Sequence, residues 1–286
     1  MIKILHFSPV KKPPEILKLH LESLENLNKD EFDLTFSFFD DNENPESSEL
    51  LHKFISSNKN SILFNFDFLN FLTYKGSNRW APELYSRITV IKNRVIESFL
   101  NGNYDMLFLT DSDLILHPQT LNNLILKKKD FCSTIFWTHF EGTPTYTPNA
   151  WFSKPKGFDP LDLKKFKEDG TYPVDFTGAC TLLSRKILQD GVSFTKIPNL
   201  HYLGEDKHFC IRAAVMGYQA FVDTKYPAFH VYSLSNVKLG KKILRNHFNY
   251  SFLIDWLDSS WEKKIEEWLR GKNRSLISRI IKKITS

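Results

Sequence analysis

The sequence predicts an α/β fold, a mainly parallel central sheet flanked by helices, with a helical extension at its C-terminal end. Two observations carry this. Short, almost wholly apolar runs alternate with longer segments whose apolar residues recur at helical spacing. A chain of 286 residues that is 42% hydrophobic can also bury one large core. Strands that read as continuous apolar runs are buried on both faces, as in a parallel sheet covered by helices.

The elements follow in order. "IKILHFS" (Ile2–Ser8) reads as a strand ending at Pro9, and "PEILKLHLESLENL" follows as a helix with Ile16, Leu17, Leu21 and Leu24 on one side. The pattern repeats with a strand over Phe32–Phe39, an acidic turn at Asp40, Asp41 and Asn42, and a helix after Pro45 carrying Leu50, Leu51 and Phe54. A third helix, Glu83–Leu100, aligns Leu84, Ile88, Ile91, Val95 and Phe99 and leads through Gly102 into a strand at Met106–Leu109. Thr138–Pro160 is rich in Pro, Gly, Thr and aromatics without periodicity and reads as a substrate loop. "VDFTGACTLLSRKIL" predicts a strand or turn entering a helix. Gly204, Glu205 and Asp206 open a helix that runs to Met216 and stops at Gly217, and "QAFVD" and "PAFHVYS" read as two short strands.

Charge and cysteine usage narrow the function classes. Of the net charge of +5, six basic residues fall in Arg270–Ser286 with no acidic ones, leaving residues 1–269 at about −1 by subtraction. A basic groove for nucleic acid is therefore not expected in the body of the protein. Cys132, Cys180 and Cys210 are odd in number and widely spaced, which fits a reducing, cytoplasmic compartment better than a disulfide framework. The N-terminal apolar run is too short for a signal-peptide core, and no stretch reaches membrane-spanning length.

The chemistry is expected at strand ends. In open α/β sheets ligands bind beyond the carboxyl ends of the strands, where Ser8, Asp40, Asp41, Asp111 and Asp113 fall. In "YDMLFLTDSDLILHP" two aspartates one residue apart follow a buried run, an arrangement that repels itself unless a cation is present. In an extended segment they would point the same way and offer hard oxygen ligands to Mg2+ or Mn2+ together with phosphate oxygens. The competing reading is a turn capping the strand. Glu205 and Asp206 could serve only the dipole of their helix, and Asp40 and Asp41 could serve only a loop. Gly178 and Ala179 could be a tight turn or an opening for an acceptor, and Trp137 and Trp151 could be packing residues or sugar platforms.

Four segments, taken together in order, resemble the nucleotide-sugar glycosyltransferases of the GT-A fold, particularly inverting family 2, over roughly residues 1–235. They are "ILHFSPV", "FFDDNEN", "IKNRVIESFLNGNYDMLFLTDSD" and "GEDKHFCIRAAVMGY". The resemblance implies a Rossmann-like catalytic domain at 1–240, with a donor half at 1–113, an acceptor half at 114–240 and a basic amphipathic extension at 241–286. It implies donor contacts at Ser8, Pro9, Asp40 or Asp41, Lys92, Asn93, Asp111 and Ser112. It also implies Mn2+ or Mg2+ on Asp113 with Asp111 and His230, a general base at Asp206 beside Glu205, and acceptor contacts at Trp137, Gly178 and Ala179. The implied activity is metal-dependent, inverting transfer from a nucleotide diphospho-sugar, UDP-sugars favoured, to a glycan, lipid-linked or protein hydroxyl. The Asn93-to-Asp111 interval is longer than usual for the family. The Gln-Arg-Trp motif of processive synthases is missing, so a non-processive enzyme is expected. A non-catalytic nucleotide- or carbohydrate-binding protein on the same fold is the alternative from another class. A nucleotidyltransferase ranks lower, because "SPVKKPPE" lacks a glycine-rich loop. The C-terminal helices, with Ile280, Ile281 and Ile284 set against Arg279, Lys282 and Lys283, suit either packing on protein or peripheral contact with an anionic inner membrane face.

Overall fold

The computed structural model describes residues 1–65, 82–139, 146–152, 165–200, 204–246 and 248. The expected C-terminal amphipathic segment falls almost entirely outside them.

The N-terminal half is the predicted alternation. Strand β1 (Ile2–Val10) feeds helix α1 (Pro14–Glu25), β2 (Phe32–Asp40) feeds α2 (Pro45–Ser57), and a short β3 (Ser61–Phe64) follows. Helix α2 starts where the sequence says it should. The side chain of Asn44 accepts a bond from Glu46 N–H, and Pro45 takes the first turn, where no donor is needed. Helix α3 (Pro82–Asn101) buries Ile91, Val95 and Phe99 completely against the sheet and leads into β4 (Met106–Thr110). These four strands run parallel in the order β3-β2-β1-β4.

The second half enlarges the sheet. Its elements are β5 (Leu114–Ile115), α4 (Thr120–Leu126), β6 (Phe131–His139), β7 (Tyr146–Pro148), β8 (Ala150–Trp151), β9 (Thr171–Val174), β10 (Phe176–Thr177), β11 (Cys180–Ser184), α5 (Arg185–Gln189), α6 (Glu205–Val215), β12 (Ala220–His230) and α7 (Val237–Arg245). The order continues β4-β11-β6-β12-β5, with β11 and β5 reversed and the other strands of the path aligned. The sheet is thus mostly parallel, as predicted.

Several expectations are corrected. The "QAFVD" and "PAFHVYS" segments form one strand, β12, whose pairing with β6 shifts between Asp223 and Ala228 and re-aims the chain toward His230. Part of the predicted 138–160 loop is short strand, because β7 pairs back on β6 and β8 pairs with β10. Helix α7 runs across position 240, where the extension was expected to begin. Gly240 there lets the helix sit on Leu19 and Ile115, and Ile243 is fully buried.

Helix α6 ends as its sequence requires. Gly217 adopts φ +85°, and Tyr218 N–H and Gly217 N–H bond back to Ala213 and Ala214 carbonyls. At the shift in β12, the fully buried Asp223 carboxylate accepts from Asn123 (2.6 Å) and Thr171 (2.7 Å) and pairs with Lys127 (2.9 Å). It ties α4 and β9 to the strand that carries His230. Asp223→Ala is expected to lower stability by about 3 kcal/mol, because it removes the acceptor of Asn123, Thr171, Lys127 and the Lys225 N–H at once; a urea melt of the variant against wild type reads this directly.

Candidate functional site

Beyond the carboxyl ends of β1, β4 and the aligned β12, the fold gathers two acid-base clusters. Thr110 is the last residue of β4, so Asp111, Ser112 and Asp113 form a turn rather than a strand. Asp111 N–H bonds to Ala179 O, Leu114 N–H bonds back to Asp111 O, and Val231 N–H bonds to Asp113 O. The i, i+2 alternation expected for an extended segment is therefore corrected. The two aspartates are placed by neighbouring strands, not by pleating.

The first cluster is centred on Asp113. One of its oxygens, Oδ2, meets Lys12 Nζ at 2.5 Å and His230 Nε2 at 3.1 Å, and the other, Oδ1, is buried without a hydrogen-bond partner. His230 is aimed by Thr138, whose hydroxyl lies 2.7 Å from Nδ1. Burial pushes the Asp113 pKa up, but Lys12 and His230 outweigh it and hold the carboxyl far below the ordinary range.

The second cluster is centred on Lys92, which is almost wholly buried. Its ammonium lies 2.7 Å from Glu205 Oε1 and 2.8 Å from Asp206 Oδ1 and rests on the Phe194 ring. Burial alone would lower its pKa, and Asp206, Glu205 and Asp111 together raise it. Burial raises Asp206 against the opposing pull of Lys92. Gly178 faces the same carboxylate so closely that a Cβ would overlap Asp206 Oδ2. Its carbonyl is held by the buried Asn149 amide at 3.0 Å, and Ala179 beside it is forced to φ +67°.

Asp111 lies within the field of both clusters. Burial, offset by Lys92, and the neighbouring Asp113 and Asp206 charges move it up to about 7. Four carboxylates here face two lysines, so the site carries an excess of two negative charges when all are ionised.

Not every predicted residue is brought together. Lys92 belongs to Asp206, not to a donor wall, and the Asn93 side chain is bonded to Phe194 N–H and Thr195 Oγ1. Asp40 closes its own turn by accepting from Asn42, while Asp41 is gripped by Arg87 through two bonds. Trp137 is a core residue, 7% exposed, which corrects the acceptor contact expected for it. Ser8 and Ser112 are buried beneath the strand ends, and Pro9 is half-buried. Sequence reasoning missed Lys12, Arg87 and Asn149. Of these only Lys12 left a signal, a lysine directly after a strand end facing an acidic pair.

A divalent cation fits this donor set in one particular way. Among the described residues no three His, Cys, Asp or Glu side chains converge as a preformed metal centre, so Asp111 is not gathered with Asp113 and His230. Asp113, with its unpartnered Oδ1, and His230 are the residues that could hold such an ion. A site with few protein ligands that leaves positions for phosphate oxygens and water is the usual way of holding Mg2+, and carboxylate with water suits Mn2+ as well.

No protein-family model matches the chain, and no curated protein matches it in sequence. Solved structures do. A mannosyltransferase, PcManGT from Pyrobaculum calidifontis in complex with GDP-Man and Mn2+, superposes with a TM-score of 0.52 at 11% identity, covering 85% of this chain and 60% of that one. TarS from S. aureus superposes at 0.50 and 13% identity, covering 86% of this chain and 65% of that one. The chain spans less than two thirds of the length of either protein. These likenesses show the fold, a mixed α/β architecture with a large, mostly parallel central sheet as expected from the sequence.

The Asp111 carboxyl gives a pH signature. Its folded pKa is raised from 3.8 to about 7, so the folded state holds this proton more tightly than the unfolded chain, and its stabilising contribution is lost as pH rises through 7. Asp111→Asn removes that loss. In EDTA, the variant's stability gain over wild type should be larger at pH 8 than at pH 5, by on the order of 1–3 kcal/mol. Thermal melts at the two pH values check this, and a gain independent of pH contradicts it.

Proposed function

We propose that this protein is a metal-dependent, non-processive glycosyltransferase that moves a sugar from a nucleotide diphospho-sugar to an acceptor hydroxyl with inversion. The observation that carries the reading is the pairing of two unlike acidic centres at one sheet end. Asp113 has a buried Oδ1 without a hydrogen-bond partner and its other oxygen on His230, and Asp206 is a carboxylate whose pKa burial raises, seated against Gly178. The complex of the like-folded mannosyltransferase with GDP-Man and Mn2+ supports the same donor class and cofactor.

When bound, a divalent ion at Asp113 and His230 supplies Lewis-acid neutralisation of the charge that grows on the leaving diphosphate. The chain's own residues do the rest. Asp206 takes the proton of the acceptor hydroxyl as its oxygen forms a bond to the anomeric carbon. The bond from that carbon to the diphosphate oxygen breaks, and its electron pair leaves with the diphosphate. Lys92 positions Asp206, because its ammonium bridges Glu205 and Asp206 and fixes the carboxylate that remains available. Gly178 lets its backbone lie directly against the Asp206 carboxylate, where a Cβ would collide with Oδ2. The acceptor is a glycan, lipid-linked or protein hydroxyl, and the nucleotide is chosen beyond the carboxyl end of β2, where Asp41 stands in the grip of Arg87. Arg270–Ser286 remains the segment for peripheral membrane contact; among the described residues no helix is long and apolar enough to cross a membrane.

Calorimetric titration of UDP and GDP, with and without Mn2+, tests the donor site. Wild type should bind one of them only with the metal, and Asp113→Asn should lose at least about tenfold in affinity, 1.4 kcal/mol. With the matching sugar donor, Asp206→Asn should lower kcat by about 10³-fold while nucleotide affinity stays within about twofold, as expected for a general base. Binding of neither nucleotide under any condition would overturn the proposal, and binding without turnover of any donor would leave a carbohydrate- or nucleotide-binding protein.

A further inference from the structure

Lys12 occupies the place where the proposed chemistry needs a cation. Its ammonium is 2.5 Å from Asp113 Oδ2, the same oxygen that His230 approaches. A divalent ion held by Asp113 and His230 would meet this ammonium first, so metal and lysine would compete for one carboxylate. The lysine is the member of the pair with access to solvent, 29% exposed at its side chain against 4% for Asp113.

The surroundings hold the backbone of Lys12. Its N–H donates to Asn42 Oδ1 at 3.0 Å, and its carbonyl accepts from the buried Ser47 hydroxyl at 2.8 Å. Asn42 lies in the segment joining β2 to α2 and Ser47 in the first turn of α2, so the β1–α1 loop is stapled to its neighbour. A lysine is a compact charge on a four-carbon stem, which can swing without moving the chain that carries it.

Energetics then fix when it swings. Removing the partner of a buried carboxylate leaves an uncompensated charge, at a cost of several kcal/mol, so the ammonium leaves Asp113 only when another cation replaces it. Once displaced it needs an anion. A donor diphosphate beyond the end of β1 is the nearest group of the right charge that the proposed reaction brings.

We propose that Lys12 is an exchangeable counter-cation of the donor site: it neutralises Asp113 while the site is empty and transfers to the donor diphosphate when a divalent ion takes its place. The inference rests on the nucleotide-sugar reading of the site. It makes metal and nucleotide binding reciprocal, because the lysine opposes the first and rewards the second, and a coupling of this kind must appear in both affinities.

The test is Mn2+ binding to the full chain by electron paramagnetic resonance, without nucleotide, and UDP and GDP binding at saturating Mn2+, for wild type, Lys12→Gln and Lys12→Arg. Lys12→Gln should bind Mn2+ roughly tenfold more tightly than wild type in the absence of nucleotide, and should bind the nucleotide at least roughly tenfold more weakly in its presence. Lys12→Arg keeps the charge and should leave the opposition to Mn2+ in place. Thermal melts establish that each variant is folded. If Lys12→Gln weakens both affinities, or changes neither, while wild type binds nucleotide with Mn2+, the exchange role of Lys12 is overturned and the donor site stands. A wild type that binds neither nucleotide at saturating Mn2+ overturns the donor-site reading and this inference with it. If Lys12→Gln does not fold, Lys12→Arg decides, since a displaced arginine that still supports nucleotide binding is expected and tighter Mn2+ binding would contradict the exchange.

Discussion

Four carboxylates at one end of a buried sheet must be matched by positive charge, and most of what is distinctive in this structure answers that requirement. Lys92 lies almost wholly buried between Glu205 and Asp206, a position that a lysine tolerates only with anions on hand. Lys12 reaches across from another loop to Asp113. The two lysines leave the balance short, and the deficit surfaces at Asp111, the carboxyl pushed toward neutrality between the two clusters. Among the described residues the site is thus short of positive charge, and Asp113 keeps an unpartnered Oδ1.

The fold makes this arrangement possible by bringing distant segments to one edge. The reversed strand β11 lies between β4 and β6, which puts Gly178 and Ala179 directly beside the aspartate turn and in front of Asp206. The shift in β12, anchored on Asp223, carries His230 back to Leu114 and hence to Asp113. The Asp206 and Asp113 corners are therefore set by separate supports, Asn149 and Lys92 for one and Thr138 and β12 for the other. Such separation lets each centre be tuned without disturbing its neighbour.

Much of the scaffold was legible in the sequence. Helices α1, α2, α3 and α6 announce themselves by periodicity, by Asn44-Pro45 at one start and Gly217 at one end, and β1, β2 and β4 by continuous apolar runs. Strands β3, β5, β6, β7, β8 and β9 escaped notice: β5 and β8 are two residues long and exist through partners remote in sequence, and the nine-residue β6 interrupts its apolar run with Ser133 and Thr134. Lys225, Tyr226 and Pro227 break the apolar pattern of β12, so it read as two strands. The residue types of the site were legible as well, but their partners were not. The ion pair between Lys12 and Asp113 spans 101 positions, and nothing local in "SPVKKPPE" says which lysine will reach an aspartate. Lys92 looked like a donor contact because its helix is aligned with donor contacts in the family it resembles. Its bond to Asp206 depends on how α3 and α6 pack, which no local pattern encodes.

In the proposed reaction the Asp113 corner is a cation site served by His230 and vacated by Lys12. Diffraction at the manganese edge from crystals grown with Mn2+ and the nucleotide that binds is the measurement to make. An anomalous peak is expected at coordination distance from Asp113 and His230, with the Lys12 ammonium moved onto the diphosphate. A peak elsewhere, or an ammonium still on Asp113 with the nucleotide bound, would contradict it.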